Sequence, residues 1–291
     1  MALAPIPVPY EDREAFILGD CFEQELVRRG WQLQQARRPY TDPLVLRQPW
    51  LRCPNGSQYS ERALYRSLLA TSARRALRHL LERLPCLYGD LLAASPGELP
   101  NDRLLQLLID QELLLREGAT IKAGPALERL HNLGHTLEWL VAEWLRLYCV
   151  EHYDRLVPVR HGVSLASPAI PGDLDVLAFL DEGPLLIECK SRSKAIEEGH
   201  FMRFVARVHL LRPFASIFLV DIENPLPQQR LSQYARALQQ RGSAPPHGSG
   251  GFYFTTERIY LVNTSLSFAQ RLQEVLEDAR RRQPRSALVQ R

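Results

Sequence analysis

The sequence predicts an α/β protein: a C-terminal sandwich built on a mixed sheet, preceded by a mostly helical N-terminal domain. Three observations predict it. From about residue 125 onward, short apolar runs of strand length alternate with amphipathic stretches of helix length. Before that point prolines, arginines and helix-period leucines dominate. The texture changes near 120–124, which divides the chain into residues 1–120 and residues 121–291. A chain of 291 residues, 45% hydrophobic and 24% charged, has the size of one large or two ordinary domains, and its composition excludes a disordered or fibrous protein.

The N-terminal part opens with MALAPIPVPYEDRE, which lacks the basic and apolar segments of a secretory leader. With no uninterrupted apolar window of about 18 residues anywhere, the expectation is a cytoplasmic protein without a membrane span. A helix is expected over about 11–29, then four prolines (39, 43, 49 and 54) and the turn CPNGSQ break the chain. Helices follow over 60–71, 74–84 and 101–108. The leucines at 104, 105, 107 and 108 run into a strand–turn–strand, LLLREGATIKA, with Glu117-Gly118 at its tip. Helices followed by a small hairpin resemble a winged helix-turn-helix; the alternative is a small helical packing or dimerisation domain.

Charge is distributed unevenly. The net charge is only +3, yet residues 28–84 hold twelve arginines against the three acids Asp42, Glu61 and Glu82. Such asymmetry points to a polyanion partner, and Arg74, Arg75 and Arg78 are the candidate nucleic-acid contacts. A helical domain with solvated arginine faces is the plain alternative. The five scattered cysteines include no CxxC pair, so neither a disulfide framework nor a cysteine zinc cage is indicated.

In the C-terminal part a long helix is expected over about 125–153, where apolar residues recur at helical spacing. Strands follow at 157–165, 173–180 and 185–189, a helix at 195–211, and a buried strand at 216–220. A helix at 227–240, a loop at 241–251, short strands in GFYF and RIYLV, and a final helix at 266–282 complete the order.

The chemistry concentrates in GDLDVLAFLDEGPLLIECKS, residues 172–191. With Glu182-Gly183 as the turn, Leu180 faces Leu185 and Asp175 stands across from Lys190. Side chains alternate along a strand, so Asp175, Glu188 and Lys190 share one face, and Val176, Ile187 and Cys189 the other. Opposed carboxylates on rigid strands make a hard oxygen site for Mg²⁺, with Mn²⁺ able to substitute. Metal and lysine together can stabilise charge that develops on a phosphodiester. Only three lysines occur in the chain (122, 190 and 194), so a lysine on an apolar strand is unexpected from composition and expensive unless paired. The plain alternative is a strand-end salt bridge.

These residues resemble the PD-(D/E)xK nuclease superfamily, the restriction-endonuclease-like fold. The preceding helix reads Gly134-His135-Thr136-Leu137-Glu138, which is similar to the helix signature of archaeal Holliday-junction resolvases. DLDVL and IECK resemble the strand signatures of the nuclease domain in CRISPR ancillary Card/Can effectors. The resemblance covers about residues 125–225, with Leu174 where the superfamily's name has proline. It implies that Asp175 and Glu188 bind metal, that Lys190 is the base-side lysine, and that Glu138 is an accessory acid positioning metal or water. Asp173 is a secondary candidate, since relatives often carry an acid there.

Other residues qualify the picture. His131, His135 and Glu138 can share one side of the helix; HxxxH is a zinc spacing, but no third ligand is evident, and His135 is a secondary candidate beside Glu138. Glu143 is a rival helix acid that points elsewhere. Ser191, Arg192, Ser193 and Lys194 directly follow the motif, so Arg192 and Lys194 are candidate phosphate contacts. Arg203 and Arg207 lie four apart on the next helix, where surface charge is the ordinary reading. The expectation is a Mg²⁺-dependent nuclease acting on DNA in preference to RNA, as a homodimer because cutting both strands needs two sites. Two alternatives are a catalytically silent nucleic-acid-binding protein on a nuclease fold and an activator-dependent CRISPR or defence effector nuclease.

Overall fold

The computed structural model describes residues 21–37, 65–87, 102–110, 112–124, 134–153, 157–170, 172–192, 196–222, 225–249, 252–264 and 268–282. Eight strands form one mixed sheet. They are β1 (Leu33–Arg37), β5 (Val159–Leu165), β6 (Asp173–Leu180), β7 (Gly183–Lys190), β8 (Ala215–Val220), β9 (His247–Ser249), β10 (Phe252–Phe254) and β11 (Ile259–Asn263). Their spatial order is β1-β5-β6-β7-β8-β11-β10-β9. The centre, β7-β8-β11, is parallel, and all other pairs are antiparallel. Every residue of β8 and β11 is buried, as expected of parallel strands covered on both faces.

Helices cover the two faces. Helix α3 (Gly134–Tyr153) and helix α6 (Phe268–Arg281) pack on one face through Leu140, Leu145, Leu272 and Leu276 against Val176, Ile187 and Ile217. Helix α4 (Glu198–Leu211) and helix α5 (Gln228–Gln240) pack on the other through Phe201, Phe204, Tyr234 and Leu238 against Leu177, Leu186 and Phe218. The α/β class and the mixed sheet are therefore present. Among the described residues no helix is long and apolar enough to cross a membrane.

A second, three-stranded sheet has the order β2-β4-β3, from β2 (Cys86–Leu87), β3 (Leu114–Glu117) and β4 (Thr120–Ala123). Helix α1 (Thr71–Arg83) precedes β2, and helix α2 (Asp102–Asp110) runs into the hairpin. The hairpin expected at LLLREGATIKA is there, with Gly118-Ala119 at its tip and Glu117 opposite Thr120. Gly124 closes the unit: a Cβ there would lie 2.0 Å from the Glu112 carbonyl oxygen, so only glycine fits.

Besides the unexpected strand β2 and a hairpin tip one residue later than expected, three placements differ from the sequence reading. Residues 33–37 form an edge strand of the large sheet, and Phe22 and Leu26 of the preceding helical residues 21–28 pack on its α4–α5 face. The stretch read as a loop at 241–251 contains β9, paired to β10. In the β6–β7 hairpin Leu180 pairs with Gly183, so the turn is Asp181-Glu182 and the register is offset by two residues. A two-residue offset preserves which side chains share a face, and Val176, Ile187 and Cys189 do pack together. The expected helical residues before 21, the proline-rich stretch 38–64 and the start of the long helix at 125–133 lie outside the described residues.

Candidate active site

The parallel strands β7 and β8 end side by side, at the edge where open α/β sheets receive ligands. Strand β6 runs the opposite way, so its first residues arrive at the same edge. The paired register of β6 and β7 reaches Val176↔Ile187. Beyond it a side chain replaces the main chain: Cys189 N–H donates to Asp175 Oδ2 at 2.7 Å. Leu174 and Leu177 pack on the same face although they are three apart, so strict alternation breaks around Asp175. That break brings the carboxylate to the plane of the sheet, where β7 presents its N–H.

Glu188 and Lys190 follow two apart on β7 and meet Asp175. Lys190 Nζ lies 2.7 Å from Glu188 Oε1 and 3.8 Å from Asp175 Oδ2, so one ammonium serves two carboxylates. The other oxygen of Glu188 accepts from Arg207 Nη1 at 3.1 Å. From the opposite face α3 contributes Glu138, with Nδ1 of His135 at 3.4 Å and Nδ1 of His161, on β5, at 3.9 Å.

The charges are unbalanced. Burial pushes the Asp175 carboxyl well above the usual range, and the negative charges of Glu188 and Glu138 push it further; Lys190 and the Cys189 N–H only partly oppose them. Burial also raises Glu138, but His135 and His161 more than reverse this and hold it down at about 2. Burial works against the Lys190 ammonium, yet Asp175 and Glu188 outweigh it and raise its pKa. Lys190 is therefore charged at neutral pH.

This donor set fits a hard divalent cation. Asp175 and Glu188 offer two hard oxygen donors on adjacent strands, and a cation between them would relieve the conflict at Asp175. Among the described residues no group of three or more His, Cys, Asp or Glu side chains is placed to hold a metal ion. The ammonium of Lys190 stands between the two strand carboxylates instead. Mg²⁺ keeps several waters and needs only one or two protein carboxylates, so a closed cage is not required.

The remaining candidates scatter. Asp173 is exposed and accepts a hydrogen bond from the Ser164 hydroxyl, away from the cluster. His135 does lie beside Glu138. Glu143 is engaged by Arg146, 3.0 Å from its Nε. Arg74 is 3% exposed and grips Asp221 with two hydrogen bonds of 2.8 and 2.6 Å, while its other N–H groups reach the Leu68 and Leu69 carbonyls. It is a buried strut and cannot present its guanidinium to a nucleic acid. Arg75 is on the exposed side of α1, and Arg78 is largely buried, 3.9 Å from Asp221. Arg192 is exposed and paired with Glu82 of α1. Lys194 and His131 lie outside the described residues.

Three site residues were missed. Arg207, read as surface charge, is 7% exposed and holds Glu188. It stands three after Phe204 and four before Leu211, both core residues, so the helical period already placed it on the buried face. His161 is fully buried on β5. Asp221 directly follows the apolar run of β8, and an acid ending such a strand was the available signal.

No protein-family profile matches the chain, and no curated protein matches it significantly. Solved structures do. Protein VC1899 from Vibrio cholerae is similar over 89% of this chain and 62% of its own, with 13% identity and a TM-score of 0.47. Can2 from Sulfobacillus thermosulfidooxidans, in complex with cyclic tetra-adenylate, is similar over 88% of this chain and 60% of its own, with 14% identity and a TM-score of 0.44. The chain thus spans less than two thirds of either structure.

Proposed function

We propose that the chain is a metal-dependent nuclease that hydrolyses phosphodiester bonds, with DNA the expected substrate. One observation carries the reading: a scarce lysine meets two carboxylates from adjacent strands, 2.7 and 3.8 Å away, at the ligand-receiving edge of a mixed sheet. Asp175 and Glu188 would hold a Mg²⁺ or Mn²⁺ ion, with Glu138 as the accessory acid. When bound, that ion supplies Lewis-acid charge to the phosphoryl oxygens.

The chain's own groups do the rest. Lys190 is an ammonium in this setting, so it donates hydrogen bonds and positive charge to a phosphoryl oxygen as negative charge develops there. Arg207 fixes one oxygen of Glu188 and leaves the other facing Lys190. The Cys189 N–H orients Asp175, and His135 and His161 keep Glu138 ionised. An ionised Glu138 can accept a hydrogen bond from an attacking water and orient it. The arginine-rich unit around α1, and its winged-helix-like helix–hairpin order, would supply the nucleic-acid-binding surface.

Incubation with plasmid DNA and with RNA, in Mg²⁺ or Mn²⁺, tests this. Cleavage should vanish with EDTA and fall by about 100-fold or more in Lys190→Ala. Undiminished cleavage by Lys190→Ala, or cleavage in EDTA, removes the proposal. Binding without any cleavage favours the silent nucleic-acid-binding alternative. A parallel reaction with cyclic tetra-adenylate separates a constitutive enzyme from an activator-dependent one, and sedimentation with substrate tests for the expected homodimer.

A further inference from the structure

A small cavity of about 10 Å³, room for one water-sized oxygen, lies between α1, the start of α3 and the ends of β7 and β8. Arg74 and Arg78 of α1, Thr136 of α3, Ser191 after β7 and Asp221 after β8 line it, and three leucines complete the wall. Ser191 directly follows Lys190, and the Asp221 N–H donates to the Lys190 carbonyl at 2.8 Å, so the cavity borders the end of the strand that carries Lys190.

Two features show that the cavity is short of a partner. The Thr136 side chain is 2% exposed, and its hydroxyl has no hydrogen-bond partner among the described residues. A buried hydroxyl left alone opposes folding, because it gave up its hydrogen bonds to water. The charges are also uneven: Arg74 takes both oxygens of Asp221 at 2.8 and 2.6 Å, while Arg78 reaches that carboxylate only at 3.9 Å. Two guanidinium groups thus face one carboxylate. Burial lowers the Arg78 pKa, and the neighbouring Arg192 and Arg74 act in the same direction against Asp221 and Glu82. A water would satisfy the hydroxyl, but only an anion would also answer the surplus charge.

We propose that this cavity receives one anionic oxygen of a substrate phosphate neighbouring the scissile one, with the Thr136 hydroxyl and the Arg78 guanidinium as donors. The phosphate would set where along the strand the carboxylate cluster engages. Arg74 acts through Asp221 and makes no contact itself. The inference rests on the nuclease reading, and the experiment keeps the two apart.

Binding of a labelled DNA duplex, followed by fluorescence anisotropy in EDTA, reads the cavity without catalysis. Arg78→Gln should weaken binding about tenfold and reduce the slope of log K against log salt by about one. Thr136→Val is nearly isosteric. It should weaken binding about threefold to tenfold, leave the salt slope unchanged, and raise the thermal midpoint by removing the lone buried hydroxyl. A purely structural role for Thr136 cannot give that opposition of stability and binding. In a duplex with single neutral methylphosphonates, one position should cost wild type the same slope unit and cost Arg78→Gln nothing further. Wild-type affinity and slope in both variants would show that the cavity holds only a buried water, while cleavage sensitive to Lys190→Ala left the nuclease reading intact. A wild-type protein that neither binds nor cleaves nucleic acid would overturn both.

Discussion

Asp175 is held in an environment that opposes its charge. Burial, Glu188 and Glu138 all favour its neutral form, so its folded pKa lies above the unfolded value. The sign follows from linkage. Between those two values the folded state binds more protons than the unfolded one, so stability falls as pH rises through that window. Removing the charge without the shape should therefore help folding. Asp175→Asn retains an oxygen to accept the Cys189 N–H, so in EDTA at pH 7 it should unfold several degrees above wild type and yet fail to cleave. A variant with unchanged or lowered midpoint would mean that Asp175 is not frustrated. Glu138 behaves oppositely. With its pKa held down at about 2, it stabilises the fold above the ordinary carboxylate value and loses that contribution as pH falls from about 4.5 towards 2. Acid unfolding curves of wild type and Glu138→Gln should accordingly diverge at neutral pH, where wild type is more stable by on the order of 2 kcal/mol, and converge near pH 2.

At the scale of elements, α1 is fastened to the end of β8 by the Arg74–Asp221 pair, which Thr264 completes with its hydroxyl 2.9 Å from Asp221 Oδ1. Truncating one partner leaves a buried, uncompensated charge. Arg74→Ala should thus cost about 3–5 kcal/mol in urea unfolding, while Arg74→Met with Asp221→Leu recovers much of it. If Arg74→Ala costs less than 1 kcal/mol, the pair is not the fastening described. The same residue shows where sequence reading stops. Strong apolar periods carried β6, β8, α5 and α6 to within two residues of their ends. β1, with LQQAR, and β9, with HGS, have no such period, because each is an edge strand that borrows its order from a neighbour. Glu188 and Lys190 were legible as a pair because alternation by two survives a two-residue error in register, whereas Asp175 meets them through a break in that alternation. Arg74 was not legible, because composition marks it as one arginine among twelve, and only the tertiary approach of Asp221 makes it a buried strut.

At the scale of the whole molecule, one apolar cluster crosses the expected boundary near 120. Leu77 and Leu80 of α1, Leu104 and Leu108 of α2, and Ile121 of β4 belong to the same cluster as Trp139 and Leu140 of α3 and Val176 and Ile217 of the large sheet. Ion pairs cross the same boundary, from Arg74 to Asp221 and from Glu82 to Arg192. Two independent domains would unfold in two steps, the smaller one first. A shared core instead makes the helical unit and the sheet lose their packing together. Urea unfolding followed by far-ultraviolet circular dichroism and by tryptophan fluorescence should give coincident midpoints, since Trp139 and Trp144 sit in that cluster. Leu80→Ala, a cavity in a fully buried site of α1, should lower both midpoints equally and cost about 2–5 kcal/mol. A biphasic curve in which Leu80→Ala shifts only the first phase would separate the two units and support the division at 120. Coincident transitions would instead make the arginine-rich unit and the carboxylate cluster one cooperative body, so that a ligand held by Arg78 would be held in fixed geometry to Lys190.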